Sequence, residues 1–274
     1  MRMGATLVLG AACAGRADAP AHTSAVASSA TEPLPSSATG SASTHERDSS
    51  ESTSEPKERE SGPKTGLQAL AVAGFENAAV VVPTDPRPVP LLVATHGAGG
   101  DSAWECERWA RVARERWFLV CPSGTPFRRG EAAYFYRDHH ALEREVVASV
   151  GAARAKYGAR ITKDGGVYVG YSQGATMGAL MLVDHGSEFS HLLLIEGGSG
   201  DWTLARSQRF RATGGKSVFI VCGTPACEKR ATRSQPVLER AGLHAEVRAL
   251  SGGHTELGEV GAAAEKLLET LAGR

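Results

Sequence analysis

What the 274-residue chain lacks narrows its chemistry first. It has no excess of either charge, since 30 Lys and Arg stand against 30 Asp and Glu. Nothing in that balance argues for nucleic acid as a partner, because gripping a phosphate backbone takes a basic surplus. None of the five cysteines forms a Cys-x-x-Cys pair, so a zinc site is poorly supported. There are no internal repeats. The apolar run near the N-terminus is too short to span a bilayer. Residues 14 to about 65 contain no Phe, Trp, Tyr or Ile. A stretch of Ser, Thr, Ala, Glu and Pro cannot bury enough surface to offset its chain entropy, and it is expected to be disordered. Its functional content is reach.

Residues 1–13 carry one positive charge, a short apolar run, small residues and a cysteine. That is the outline of an export signal. Leu9-Gly10-Ala11-Ala12-Cys13 resembles a bacterial lipobox, with the branched residue one place early. The resemblance implies lipidation of Cys13 and a membrane anchor in the cell envelope. The expected organisation is a signal peptide with lipobox over 1–13, a Ser/Thr/Glu-rich linker over 14–65 and one folded domain over 66–274. Four cysteines remain, Cys106, Cys121, Cys222 and Cys227. An even number in an exported chain predicts two disulfides. Cys222 and Cys227 flank one loop, so a bridge there is local. Three pairings are open, and spacing alone does not select one.

The folded part is rich in what an α/β protein uses. Glycine is plentiful, at 32. Apolar runs at 78–82, 91–95, 117–121, 191–195 and 217–222, and a further run at 244–250, read as strands. Helical periodicity covers 101–115, with Trp104, Trp109, Val112 and Ala113 on one face. It recurs over 142–157, with Val146, Val147, Val150 and Ala153 together, and again over 230–241 and 260–271. Strands alternate with helices, and the central strands are uninterrupted apolar runs. The predicted fold class is therefore α/β, a mostly parallel central sheet covered by helices on both faces.

One stretch organises the rest. Gly165 and Gly166 lead into Val167-Tyr168-Val169, and Gly170-Tyr171-Ser172-Gln173-Gly174 follows, before small and apolar residues at helical spacing. Strand, sharp turn and helix around a G-x-S-x-G pentapeptide lift a serine hydroxyl above a sheet edge. Gly170 and Gly174 leave the room such a turn needs. The arrangement resembles the nucleophile elbow of the α/β-hydrolase superfamily, and the small carboxylesterase, feruloyl-esterase and polyhydroxybutyrate-depolymerase branch in particular. That resemblance covers about 200 residues and implies Ser172 as nucleophile. It implies His254, in Ser251-Gly252-Gly253-His254 after the last strand, as base. The oxyanion donors it implies are the amides of Gln173 and of Ala98, the latter in His96-Gly97-Ala98-Gly99-Gly100.

The superfamily's acid is missing from its usual place. Gly223-Thr224-Pro225-Ala226-Cys227-Glu228 offers no aspartate after the strand that ends at Cys222. Glu228 is the nearest carboxylate and the preferred assignment. Glu196 and Asp201, after the preceding strand, are alternatives, and Asp138 is a more distant one. The loop 122–140 holds Phe127, Tyr134, Phe135 and Tyr136, candidates for an acyl pocket, and Arg128, Arg129 and Arg137, candidates for an anionic group. Packing aromatics and solvated arginines are the default for both sets. The expected activity is hydrolysis of a small carboxylic ester, with no metal or organic cofactor. The competing expectations are a non-catalytic surface lipoprotein that binds through a degenerate hydrolase fold, and a serine peptidase.

Overall fold

The computed structural model describes residues 66–163 and 165–272. The expected signal peptide, lipobox cysteine and linker lie outside the described residues. Ten strands and six α-helices follow in the order β1 (Leu67–Leu70), β2 (Ala78–Val81), β3 (Leu91–Thr95), α1 (Ser102–Ala113), β4 (Phe118–Cys121), β5 (Thr125–Pro126), β6 (Tyr134–Phe135), α2 (His139–Tyr157), β7 (Gly166–Tyr171), α3 (Gln173–Met181), β8 (Phe189–Ile195), α4 (Leu204–Ala212), β9 (Ser217–Cys222), α5 (Pro225–Arg240), β10 (His244–Ala249) and α6 (Gly258–Ala272). Eight strands form one sheet in the order β1-β2-β4-β3-β7-β8-β9-β10. Every pairing from β4 to β10 is parallel, and β2 is antiparallel to both its neighbours. β2 therefore runs alone against the sheet.

The two-residue period of the strands sorts their side chains into two cores. Leu91, Val93, Tyr168, Leu192, Leu194, Val218 and Ile220 face one core, with buried residues of α2, α3, α4 and α5. Leu92, Ala94, Val167, Val169, Leu193, Phe219 and Val221 face the other, against α1 and α6. Both faces of the sheet are thus covered, and the expected fold class stands.

Caps place the helix starts. Asp138 accepts the Ala141 amide and begins α2 at His139, three residues before its apolar periodicity. Thr224 caps α5, and Pro225 takes the first turn, so that helix starts at 225 and not 230. Two side chains expected inside are outside. Val147 is 52% exposed and Trp104 41% exposed, each at the edge of its helix's apolar stripe. Strand β1 and the β5–β6 hairpin, the latter inside the expected loop 122–140, carry too short a pattern to read in advance.

Both disulfides form, as Cys106–Cys121 and Cys222–Cys227. The first ties α1 to the end of β4 across 15 residues, a loop whose closure contributes about 3 kcal/mol by chain entropy. Among the described residues, no helix is long and apolar enough to cross a membrane.

Candidate active site

Parallel strands deliver their C-terminal ends to one edge, and the candidate residues gather there. β7 ends at Tyr171 and α3 begins at Gln173, so Ser172 is the turn itself. Its backbone sits at φ 49° and ψ −106°, a region that costs on the order of 1–3 kcal/mol and persists only where the surroundings impose it. The flanking glycines are part of that imposition. A Cβ on Gly170 would lie 2.7 Å from the Ala175 amide nitrogen, and one on Gly174 would lie 2.5 Å from Thr95 Oγ1.

Ser172 Oγ lies 2.8 Å from His254 Nε2. On the far side of the ring, His254 Nδ1 lies 3.1 Å from Glu196 Oε2. An ionised carboxylate only accepts, so Nδ1 carries the proton and Nε2 is left to accept from the serine. The sequence expectation that Glu228 meets the imidazole is therefore corrected. Glu228 is exposed in the first turn of α5, where a negative charge suits the helix N-terminus. Asp138 is spent on its cap. The carboxylate at His254 comes from the alternative position, at the end of β8.

Glu196 is held on every side. Its Oε1 accepts the amides of Gly223 and Thr224, the latter at 2.9 Å. Its Oε2 accepts the Thr224 hydroxyl at 2.9 Å beside the imidazole. The side chain is 1% exposed, whereas that of His254 is 53% exposed. A buried carboxylate and an open imidazole thus share one hydrogen bond. Among the described residues, three non-glycine residues have positive φ, and two of them are Ser172 and Glu196, the latter at 52°. Strain is concentrated where the candidate residues sit.

The histidine loop is tethered from three directions. Gly253 donates its amide to the Gly223 carbonyl at 2.9 Å. Tyr171 donates its hydroxyl to the His254 carbonyl at 3.0 Å. Burial, with the charges of Glu256 and Glu196 behind it, pushes Tyr171 up to about 12, so its hydroxyl keeps the proton it donates. Arg108 of α1 reaches the Glu256 carbonyl and pairs with the Glu256 carboxylate at 3.7 Å. Glu105, within the same buried cluster, accepts from Trp109 Nε1 at 2.7 Å.

The glycine-rich loop after β3 comes beside the elbow, where a Cβ on Gly97 would stand 3.2 Å from Ser172 Cβ. The Gly99 amide donates to the Tyr134 carbonyl and the Gly100 amide to the Gly97 carbonyl. Gln173 adds a link that its type did not announce, as its Oε1 accepts the Tyr136 amide at 2.8 Å. The hairpin, the glycine loop and the elbow are thereby one unit. Tyr136 is buried and stacked on His96, and with Arg137 it borders a cavity of about 380 Å³ that none of Ser172, His254 and Glu196 lines. Phe127 and Phe135 stack on the hairpin, with Phe127 51% exposed. Arg128 pairs with Glu131 in solvent. Glu196, Cys222 and Cys227 bring ligand atoms within 4.8 Å of one another, but the two sulfurs are bonded together and offer a metal no thiolate.

No family model and no curated protein matches the chain. Solved structures do. A dienelactone hydrolase-like promiscuous phosphotriesterase from metagenomic libraries is 15% identical over 76% of this chain and 97% of its own, with a TM-score of 0.59. A ferulic acid esterase is 13% identical over 75% and 95%, at 0.53. The acylaminoacyl peptidase of Pyrococcus horikoshii is 13% identical over 76% of this chain and 41% of its own, at 0.58. Likeness at such identities speaks for architecture, and the strand order, the elbow and the surrounding helices agree with it: the chain has the α/β-hydrolase fold.

Proposed function

We propose that this protein is a serine hydrolase that cleaves a carboxylic ester through an acyl-enzyme on Ser172. The observation that carries the proposal is the continuous hydrogen-bonded line from Ser172 Oγ through His254 to Glu196. A serine hydroxyl needs a base to attack at neutral pH, and the base needs a carboxylate to hold its tautomer and to stabilise the imidazolium that forms. Ser172 Oγ attacks the ester carbonyl while His254 Nε2 takes its proton. The tetrahedral intermediate collapses, and His254 returns the proton to the leaving alcohol. Water, deprotonated by the same imidazole, then attacks the acyl group and frees Ser172.

The charge on the carbonyl oxygen needs donors that are already in position. The amides of Ala98 and Gln173 are the assigned pair. Gly99 and Gly100 are committed to protein carbonyls, which is consistent with an earlier amide of that loop, Ala98, as the donor. The Gln173 amide opens α3, where the first N–H groups have no intrahelical acceptor. Half the His254 side chain is open to solvent, so small or protruding esters suit the site better than an engulfed long acyl chain. A displaced acid is what favours a non-catalytic reading, and Glu196 at 3.1 Å from His254 Nδ1 supports the catalytic one. Two disulfides support an oxidising compartment and hence an exported protein; the anchor through Cys13 rests on the lipobox-like sequence alone.

A fluorophosphonate probe tests the assignment. The parent protein should label covalently, and Ser172→Ala should not. Ser172→Ala should also lose at least ~10³-fold in kcat on p-nitrophenyl acetate. Labelling that persists in Ser172→Ala removes the serine from its role.

A further inference from the structure

Among the described residues, the donors that hold the Glu196 carboxylate, other than His254, come from one short turn, and that turn is closed on itself. Gly223 and Thr224 supply two amides and a hydroxyl. The same two residues lie between Cys222 and Cys227, whose bridge spans a separation of only 5 residues and is fully buried at both ends. Thr224 is engaged twice. Its Oγ1 donates to Glu196 Oε2 and accepts the Cys227 amide at 3.3 Å. A hydroxyl has one proton, so accepting from Cys227 leaves that proton for Glu196.

The arrangement saturates the carboxylate. Two amides occupy Oε1, and one hydroxyl and one imidazole occupy Oε2, close to the number of lone-pair sites an ionised carboxylate offers. The terminal torsion of a glutamate is soft. Without the hydroxyl, only the imidazole itself holds Oε2 on the His254 side. By chain entropy a ring this short restrains the unfolded chain less than the 15-residue Cys106–Cys121 loop does.

We propose that Thr224, held in the Cys222–Cys227 ring, is a positioning residue that keeps Glu196 Oε2 against His254 Nδ1, and that this bridge serves the site more than it serves folding. The proposal rests on the Ser172–His254–Glu196 assignment above. It has two parts that act through the same turn: the ring fixes the path of Gly223 and Thr224, and the hydroxyl fixes one oxygen of the acid. Thr224 also caps α5, and a cap alone would leave a different signature, a loss of stability with turnover kept.

The test compares the full-length parent with Thr224→Val, Thr224→Ser and the double variant Cys222→Ala/Cys227→Ala, with Cys106→Ala/Cys121→Ala as the control. kcat and KM are read on p-nitrophenyl acetate, Tm by thermal melting, and the His254 Nδ1–H signal by proton NMR. Thr224→Val and Cys222→Ala/Cys227→Ala should lose about 10- to 100-fold in kcat with KM little changed, the factor expected for one charge-assisted hydrogen bond. Thr224→Ser, which keeps both the cap and the donor, should restore kcat to within about threefold of the parent. The control should lose Tm and keep kcat. The Nδ1–H signal should be sharp in the parent and broadened by exchange in Thr224→Val. Parental kcat with an unchanged Nδ1–H signal in Thr224→Val overturns the proposal, as does a loss that Thr224→Ser does not restore. A Cys222→Ala/Cys227→Ala protein that fails to fold overturns the part about the bridge. A parent that neither turns over ester nor labels with fluorophosphonate defeats the hydrolase assignment instead, and the Nδ1–H comparison still decides whether Thr224 positions Glu196.

Discussion

Replacing Glu196 by glutamine removes one charge and almost no volume, and the groups around it dictate the consequence. Glu196 Oε1 faces two N–H donors, Gly223 and Thr224. The glutamine carbonyl must take that place, because an amide NH₂ there would set donor against donor. Its NH₂ is then turned toward the Thr224 hydroxyl and His254. The hydroxyl can rotate to accept, so the fold tolerates the change. The imidazole cannot adapt so cheaply. Facing a donor, Nδ1 must give up its proton, and the proton moves to Nε2. That nitrogen then donates to Ser172 and no longer takes its proton. A wrong tautomer of this kind costs about 10⁴-fold in kcat, or about 5 kcal/mol of transition-state stabilisation. The assay is steady-state hydrolysis of p-nitrophenyl acetate by the parent, Glu196→Gln and Glu228→Gln, with Tm as a check on folding. Glu228→Gln should match the parent, since Glu228 is exposed on α5. Glu196→Gln within tenfold of the parent, or an equal loss in Glu228→Gln, refutes the reasoning.

Three further outcomes can be measured. Gly223→Ala would put a Cβ 2.2 Å from the Gly253 carbonyl oxygen and 2.7 Å from a Val260 methyl; since the first of these is backbone, the histidine loop must move, and both Tm and kcat should fall, kcat by at least about tenfold. Stability should decline from about pH 5 to pH 8: burial, opposed by Arg108, raises Glu105 from its ordinary 4.5 to about 7 and Glu256 to about 8. The folded state therefore keeps a proton that the unfolded chain has lost, and the stability present below pH 4.5 drains as pH rises through the folded values. Melting curves at constant ionic strength should show that fall and its flattening in Glu105→Gln, and a Tm that climbs across this window contradicts it. If Cys13 is lipidated, the expressed protein should partition with membranes and lose that behaviour in Cys13→Ser, and fractionation that finds the parent and the variant equally soluble would disprove the anchor.

Most of the sheet was readable because its strands are buried on both faces. Leu91-Leu92-Val93-Ala94 and Ser217-Val218-Phe219-Ile220-Val221-Cys222 are apolar almost without interruption, and only a parallel sheet covered twice asks for that. The elbow was readable for a related reason: its glycines, its serine and its helix serve one turn, and the turn is local in sequence. What escaped is what depends on distant partners. β1 is only partly buried, and its four residues pair with β2 over a register no local pattern announces. Trp104 was placed inside on helical spacing, yet spacing cannot say how far the apolar stripe of α1 extends before the sheet ends. Gln173 and Tyr136 meet through a side chain and a backbone amide 37 residues apart, and neither residue type advertises that bond.

The acid shows where local reading stops and which local signal was still there to use. Three candidates stood near the C-terminal ends of β8 and β9, and proximity in sequence to the usual loop favoured Glu228. Thr224-Pro225 argues otherwise. A capping threonine followed by proline is a helix start, and it puts Glu228 at the fourth helical position, carried along the helix and out to solvent. Glu196 needs no such detour. It directly follows β8, its own φ of 52° redirects the chain at that point, and β9 separates it from the histidine on the loop after β10. Neighbouring strands lie about 4.8 Å apart, so the acid must pass over the end of one strand to reach the imidazole. Glutamate has one methylene more than aspartate for that reach. The end of β9 is also where the chain has no side chain, at Gly223, whose amide turns toward Glu196 and whose carbonyl holds the histidine loop. The missing aspartate and the glycine that allows a glutamate to cross are two sides of one arrangement, and a reading that weighs reach and capping together selects Glu196 over Glu228.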